Sequence, residues 1–312
     1  MNRLPLLLLV AGPMTAITAF LVDAQISRAF VGVDVLTSTR NYYIFGSALG
    51  ILVQGMLAWT MDRGQSARAP LSYRAIVVCG ALDIVSIVAW LYALLTGPTA
   101  AVLALGSLAP VLVGTWEMVV GRLGFARGLV GAALILGGVG CLLLPASGAA
   151  LPPACAFALL VRNGTRALTE VWERRVSLSA AYRFTGARFA LMATLGIPLA
   201  LSVGSGSMPT IPAWAVGLQV LSHVLWFGVN VVRVQLKQTL PLVTLPAAAF
   251  ATPAAGSALA ASLLNLALPG SFPMASFSLS LLCGVLLLVA GTAWFTTARA
   301  GATRSLSEGH GD

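Results

Sequence analysis

Ten long apolar stretches follow one another along the chain, separated by short polar connections. Each is about 20 residues long, which is the length that an α-helix needs to cross the hydrocarbon core of a bilayer. Only 9% of the residues are charged, whereas a soluble domain carries about 25%. The sequence therefore predicts an all-α membrane protein with ten transmembrane helices, at 4–22, 40–61, 75–95, 98–120, 125–145, 152–172, 184–204, 213–233, 241–263 and 276–298.

The positive charges orient these helices. With a cytoplasmic N-terminus, the inner connections hold eight arginines and the lysine of the chain, whereas four of the five outer connections hold no Lys or Arg. Arg28 and Arg40 in the first outer connection are the exceptions. By the positive-inside rule, both termini are cytoplasmic. We expect a multi-pass protein of the cell inner (plasma) membrane.

Prolines recur at matching places in the two halves of the chain. Pro98 corresponds to Pro241 and Pro110 to Pro253, each 143 residues later. Pro98 and Pro241 fall in the first turn of their spans, where the missing N–H is tolerated. Pro110 and Pro253 lie inside their spans and are predicted helix breaks. Matching breaks are typical of a transport site, although packing geometry alone is the alternative.

Other residues repeat in the same order. Arg40 corresponds to Arg188, which we expect to anchor helix ends at opposite interfaces, and Gly138 corresponds to Gly291. Each half then holds five spans, and an odd number makes the second half enter the membrane from the opposite side. The sequence predicts a 5+5 inverted-topology repeat, a construction typical of secondary transporters. Its parts are a first repeat at 1–148, a second at 149–298 and a disordered cytoplasmic tail at 299–312.

Four stretches carry a family resemblance: "YALLTGPTAAVLALGSLAPVLVG" and "GAALILGGVGCLLL" in the first half, and "LPLVTLPAAAFATPAAG" and "GVLLLVAG" in the second. They resemble the drug/metabolite transporter superfamily, in its ten-helix EamA-type branch, and the resemblance covers residues 4–298. It implies a central cavity lined mainly by helices 1, 3, 4, 6, 8 and 9. It also implies export or exchange of small metabolites, often amino acids. Family members often end span 4 with a Gly-Glu pair, where this chain has Gly121-Arg122.

Polar side chains inside the spans are the candidate binding residues, because charges inside a bilayer are costly and mark function or pairing. Asp83 and Trp90 share one face of span 3, and His223, Trp226 and Asn230 share one face of span 8. We predict that these residues line a substrate cavity. Asp83 and His223 are also the candidates for proton coupling.

Span 6 carries Arg162, Arg166 and Glu170 at intervals of four residues, with Asn163 as a further binding candidate. Arg166 and Glu170 can pair along the helix. Three explanations stay open for Arg162: an ion pair with Asp83, binding of a substrate carboxylate or phosphate, or extension to the inner interface.

These patterns predict a secondary active transporter that exports a small metabolite, such as an amino acid or an organic anion, by alternating access. The alternative is a translocase of a lipid-linked sugar or phospholipid on the same scaffold.

The chain has no HExxH or paired-carboxylate motif, so we predict no enzyme, catalytic residue, metal ligand or cofactor. The net charge of +9 is spread too thinly to predict nucleic-acid binding. The expected partners are a small-molecule substrate, a proton as candidate coupling ion, the lipid bilayer and, as an open alternative, a second copy in a homodimer.

Overall fold

The computed structural model describes residues 3–31, 34–63, 70–121, 123–144, 151–173, 176, 180–203, 207–236, 252–268 and 278–308. Over these ranges the protein is all-α, with eleven α-helices and two 3-10 turns at Arg28–Phe30 and Gly106–Leu108. The helices are α1 Arg3–Ser27, α2 Val35–Arg63, α3 Tyr73–Thr96, α4 Thr99–Leu105, α5 Ala109–Val119, α6 Phe125–Leu143, α7 Pro153–Glu173, α8 Ala181–Ser202, α9 Ala213–Leu236, α10 Thr252–Ala267 and α11 Leu279–Glu308.

Five of these helices, namely α2, α3, α6, α8 and α9, are long and apolar enough to cross a membrane. Gly256–Ala267 in α10 and Leu279–Trp294 in α11 are shorter apolar segments. By length and composition this is a multi-pass membrane protein. The α7 helix is not in this group because it carries two arginines and two glutamates.

Side-chain caps begin two of the long helices. Asp34 Oδ1 accepts a hydrogen bond from the Thr37 N–H at 3.0 Å, directly before α2. Hydrogen bonds from the side chain and the main chain of Thr37 hold the pKa of Asp34 below its ordinary value. Ser72 Oγ accepts from the Ala75 N–H at 3.4 Å and begins α3 in the same way. Each cap satisfies a main-chain donor that the first turn leaves unpaired.

The predicted span 4 is interrupted. Its first part, α4, ends at Leu105, a 3-10 turn follows, and α5 begins at Ala109 with Pro110 in its first turn. Proline is tolerated there because that N–H has no acceptor within the helix. Pro253 likewise occupies the first turn of α10. Pro241 lies outside the described residues.

Four helix pairs have the most extensive contacts: α6 with α11, α2 with α8, α3 with α7, and α1 with α9. In the first pair the backbones touch at glycines. A Cβ on Gly138 would lie 2.8 Å from the Gly284 carbonyl oxygen, and a Cβ on Gly291 would lie 3.2 Å from the Gly131 carbonyl oxygen. Small residues allow this close approach.

The last helix continues to Glu308. The sequence predicts a disordered tail from residue 299, whereas the structure describes residues 299–308 as helix. The segment between 279 and 308 contains no proline, and its Ala, Arg, Leu and Glu residues favour helix.

Candidate functional site

A central cavity of about 150 Å³ lies between α1, α2, α3, α7, α8 and α9. In terms of predicted spans these are 1, 2, 3, 6, 7 and 8. Spans 2 and 7 therefore replace spans 4 and 9 of the implied set among the residues that the structure describes. The close packing of α2 on α8 brings both helices to the cavity. Six of the predicted binding residues line it: Asp83, Trp90, Arg162, His223, Trp226 and Asn230.

Asp23 is a cavity residue that the sequence analysis missed. Its Oδ1 accepts from Ser222 Oγ at 2.6 Å, and its Oδ2 accepts from Trp226 Nε1 at 2.9 Å. Tyr42 donates its hydroxyl hydrogen to the Asp23 carbonyl oxygen at 3.2 Å. The predicted span 1 ends at residue 22, but α1 continues to Ser27 and carries Asp23 into the bundle. The available signal was that Asp23 is the one acidic residue of this helix.

Arg162 lies on an aromatic surface inside the protein, with 5% of its area exposed. Its Cζ is 3.8 Å from the centroid of the Trp90 ring and 5.8 Å from that of Phe20. Its Nη1 donates to the Gly106 carbonyl oxygen at 3.5 Å. A Cβ on Gly106 would lie 2.8 Å from that Nη1, so the glycine at the break in span 4 leaves room for the guanidinium.

The register of α3 against α7 determines which arginine meets Asp83. The two helices run antiparallel, since the Cys155 thiol at the start of α7 contacts a carbonyl oxygen in the last turns of α3 at 3.7 Å. In this register Trp90 lies opposite Arg162, and Asp83 lies opposite Arg166. The alternative in which Arg162 pairs with Asp83 is therefore wrong, because Asp83 lies opposite Arg166, about one helical turn along α7 from Arg162.

Asp83 is held by two arginines. Arg166 Nη1 lies 3.2 Å from Asp83 Oδ1, and Arg188 Nε lies 2.7 Å from Asp83 Oδ2. Arg188 also pairs with Glu173. With 6% of its area exposed, Arg188 belongs to the interior. Its partners are the two carboxylates inside the bundle, and its predicted role as an interfacial anchor stays a prediction.

Arg233 continues this network on α9. It pairs with Glu173, and its Nε lies 3.4 Å from Glu170 Oε1. Arg166 Nη2 lies 4.0 Å from the same Glu170 oxygen, which returns the network to Arg166. Arg233 is 2% exposed, and both glutamates are fully buried.

These contacts form a closed ring of alternating cations and anions, which we call the ion-pair ring. It contains three arginines and three carboxylates, so its formal charges balance. A balanced network is the form in which buried charges are tolerated, because each charge left without its partner would be costly. In order around the ring its members are Asp83, Arg166, Glu170, Arg233, Glu173 and Arg188.

His223 is enclosed by uncharged partners. Its Nε2 lies 2.7 Å from the Gly46 carbonyl oxygen, so this nitrogen carries the hydrogen and donates. Its Nδ1 accepts from Gln54 Nε2 at 3.3 Å. Gln219 and the edge of Phe189 complete its surroundings. Both ring nitrogens therefore face groups from α2 or α9.

Asn163 does not line the cavity. Its Nδ2 donates to the carbonyl oxygens of Leu105 at 2.8 Å and Leu159 at 2.7 Å. Leu105 ends α4, where the helix break leaves carbonyl oxygens without an N–H donor from the next turn. Asn163 therefore supports the break in span 4 and is not placed to bind a substrate in the cavity.

Among the residues that the structure describes, no cluster of His, Cys, Asp and Glu could hold a metal ion.

No protein-family model matches the chain. No curated protein matches it either. Among solved structures, 26 chains match. One of them, described only as "Crystal structure of protein", matches with a TM-score of 0.57 and 19% identity, over 91% of this chain and 97% of that chain. At this identity the similarity is one of fold.

Proposed function

We propose that this protein is a secondary active transporter that exports a small metabolite, such as an amino acid or an organic anion, by alternating access. The observation that carries the proposal is the position of Arg162: a buried guanidinium on the wall of a central cavity, resting on Trp90. A buried charge in a membrane protein marks function by default.

Arg162 has no salt bridge among the described residues, and its charge interacts with that of Asp23 in the same cavity. It rests on aromatic rings and donates to one main-chain carbonyl, while Asp83 is held by the ion-pair ring. A guanidinium presents several N–H donors in a planar fork that matches a carboxylate or a phosphate. Asp23, whose carboxylate accepts from the neutral donors Ser222 and Trp226, supplies the opposite charge. A zwitterion such as an amino acid satisfies both charges.

We infer a ten-helix topology built as a 5+5 inverted repeat. The helix pairs support it, because exchanging each helix for its predicted repeat partner turns the α1–α9 pair into the α7–α3 pair and leaves α2–α8 and α6–α11 unchanged. The glycine contacts support it as well. The contact of Gly138 with Gly284 exchanges with the contact of Gly291 with Gly131.

The ion-pair ring suits a closure at one end of the cavity. It lies where α7 and α9 approach their ends and α8 begins, which is the predicted cytoplasmic side. It joins α3 of the first repeat to three helices of the second. In our proposal, opening toward the cytoplasm separates charges across this boundary, and closing restores them. Proton coupling through Asp83 or His223 stays a prediction, although both residues line the cavity.

One observation favours the alternative, a translocase of a lipid-linked sugar or phospholipid. An apolar groove on the outside of the bundle shares one wall residue, Tyr43, with the central cavity. A lipid-linked substrate would need an opening through this shared wall for its tail. The transporter of small metabolites is preferred because the charged groups of the cavity match a compact polar ligand.

The proposal is tested by ligand-dependent thermal stabilisation of the detergent-purified protein. The panel holds amino acids, organic acids, sugar nucleotides and polyprenyl-phosphate sugars, because a ligand of the folded state raises its apparent stability. The variants are Arg162→Ala, Arg162→Lys and, as a control, the exposed Arg127→Gln. We expect an amino acid or organic acid to stabilise the wild type and Arg127→Gln but not Arg162→Ala. Stabilisation only by compounds with a lipid tail would replace the proposal with the alternative.

A further inference from the structure

A second cavity, of about 560 Å³, opens on the side of the bundle between α2, α3, α7 and α8. It lies toward the end at which α2 and α7 begin and α3 and α8 end, opposite to the ion-pair ring. We call it the lateral groove. Its walls are mostly aliphatic and aromatic side chains, among them Val85, Val88, Phe157 and Val161.

The rim of the lateral groove points away from the protein. Leu36, Phe157, Leu199 and Val203 line it, and each exposes more than half of its area. Three of the four wall helices are long and apolar enough to cross a membrane. The groove therefore opens toward the hydrocarbon of the bilayer, where acyl chains and not water fill an apolar space.

The dimensions of the lateral groove fit part of one acyl chain. Its α2 wall runs from Leu36 to Tyr43, which corresponds to about 10 Å at the rise of an α-helix. Small residues, namely Ala154, Ala158, Gly196 and Ala200, keep it open.

Arg40 is the charged residue of the groove lining. It lies in the second turn of α2, near the helix start, where the interfacial region of the bilayer is expected. An arginine at this level matches the phosphate of a lipid headgroup in charge and in hydrogen-bond geometry.

The lateral groove is separated from the substrate cavity by Tyr43. The Tyr43 hydroxyl donates to the Met192 carbonyl oxygen at 3.0 Å and lies directly against Gly196. This contact closes the wall between the groove and the cavity. A ligand in the groove therefore does not reach Arg162.

We propose that the lateral groove binds a bilayer phospholipid, with one acyl chain between α2, α3, α7 and α8 and its phosphate against Arg40. This is a lipid site outside the transport cavity. It goes beyond the proposed function and does not depend on the identity of the transported substrate.

The test measures binding of dioleoylphosphatidylglycerol to delipidated protein in mild detergent, by native mass spectrometry and by thermal stabilisation. The variants are Arg40→Gln, which removes the charge, and Ala200→Phe, which fills the groove. The matched controls are Arg28→Gln, an exposed arginine at the same end of the bundle, and Ala133→Phe, an exposed alanine of α6.

We expect one tightly held lipid in the wild type and both controls, and at least a fivefold weaker affinity in Arg40→Gln and Ala200→Phe. Inorganic phosphate alone should give no stabilisation. Equal lipid binding in all five proteins would overturn the proposal, as would displacement of the lipid by the transported substrate. If Ala200→Phe does not fold, Arg40→Gln and Arg28→Gln decide the matter. Substrate-dependent stabilisation of Arg40→Gln should match the wild type, which separates this site from the transport cavity.

Discussion

Arg188 Nε lies 2.7 Å from Asp83 Oδ2, which joins α8 to α3 through two charges inside an apolar bundle. This pair belongs to a closed ring in which every carboxylate contacts two arginines. Since five of its six members are buried in the protein, where a charge that loses its partner is costly, the ring should act as a unit. Its integrity should therefore control both stability and the transport cycle.

Removing one carboxylate from the ring should be strongly destabilising. Glu173→Gln leaves Arg188 and Arg233 short of one anion, and breaking a buried ion pair costs about 3–5 kcal/mol. We expect a clear fall in the unfolding temperature in detergent. The control is Asp62→Asn. Asp62 Oδ1 lies 2.9 Å from Arg183 Nε, and both side chains are partly exposed. A solvent-exposed ion pair is worth about 0–1 kcal/mol, so this loss should be smaller. Equal stability of the two variants would contradict the ring.

The proton-coupling prediction concerns Asp83. A proton on this carboxylate would weaken its hold on Arg166 and Arg188 and so link protonation to opening of the ring. In proteoliposomes we expect Asp83→Asn to lose transport driven by a pH gradient but to keep substrate exchange without a gradient. His223→Gln is measured in parallel. Gradient-driven transport at wild-type rate in Asp83→Asn would exclude this role.

The break in span 4 should matter through Arg162. In Gly106→Ala the new Cβ would lie 2.8 Å from Arg162 Nη1 and displace the guanidinium. We expect at least a tenfold loss of affinity for the substrate found in the thermal screen. Gly164→Ala on α7 is the control, because nothing lies within 4 Å of its Cβ. A similar affinity in both variants would show that Arg162 does not contact the substrate.

The contact between α6 and α11 predicts that two glycine substitutions on α6 differ in their effect on stability. Gly138→Ala directs a methyl group at the main chain of α11, 2.8 Å from the Gly284 carbonyl oxygen, and overpacking of this kind costs about 1–3 kcal/mol. Gly140→Ala, on the same helix, has open space at its Cβ. Thermal unfolding in detergent should separate the two variants. If Gly140→Ala is as destabilised as Gly138→Ala, the close approach of these helices is wrong.

The sequence predicts local features of this fold better than it predicts charge partners. Apolar length indicates the spanning helices, and Pro110 marks the break in span 4, because both are properties of short segments. Which side chain lies opposite Arg162 depends on the register of α3 against α7. A shift of four residues would place Asp83 there instead of Trp90. Asp23 was missed because one polar residue near the end of an apolar run looks like a loop residue. Helix α1 continues past it, and its partners Ser222 and Trp226 come from the other half of the chain.

The last prediction concerns the substrate class. Asp23→Asn keeps the shape of the side chain and removes its negative charge. The ammonium group of a substrate then loses its counter-ion, whereas the carboxylate of the substrate still has Arg162 as its partner. We expect affinity for a zwitterionic amino acid to fall at least tenfold and affinity for an organic acid without an amino group to stay equal or rise. Isothermal titration of both ligands against the wild type and Asp23→Asn measures the difference. A parallel loss for both ligands would mean that Asp23 only shapes the cavity through Ser222 and Trp226, and would leave the organic anion as the preferred substrate.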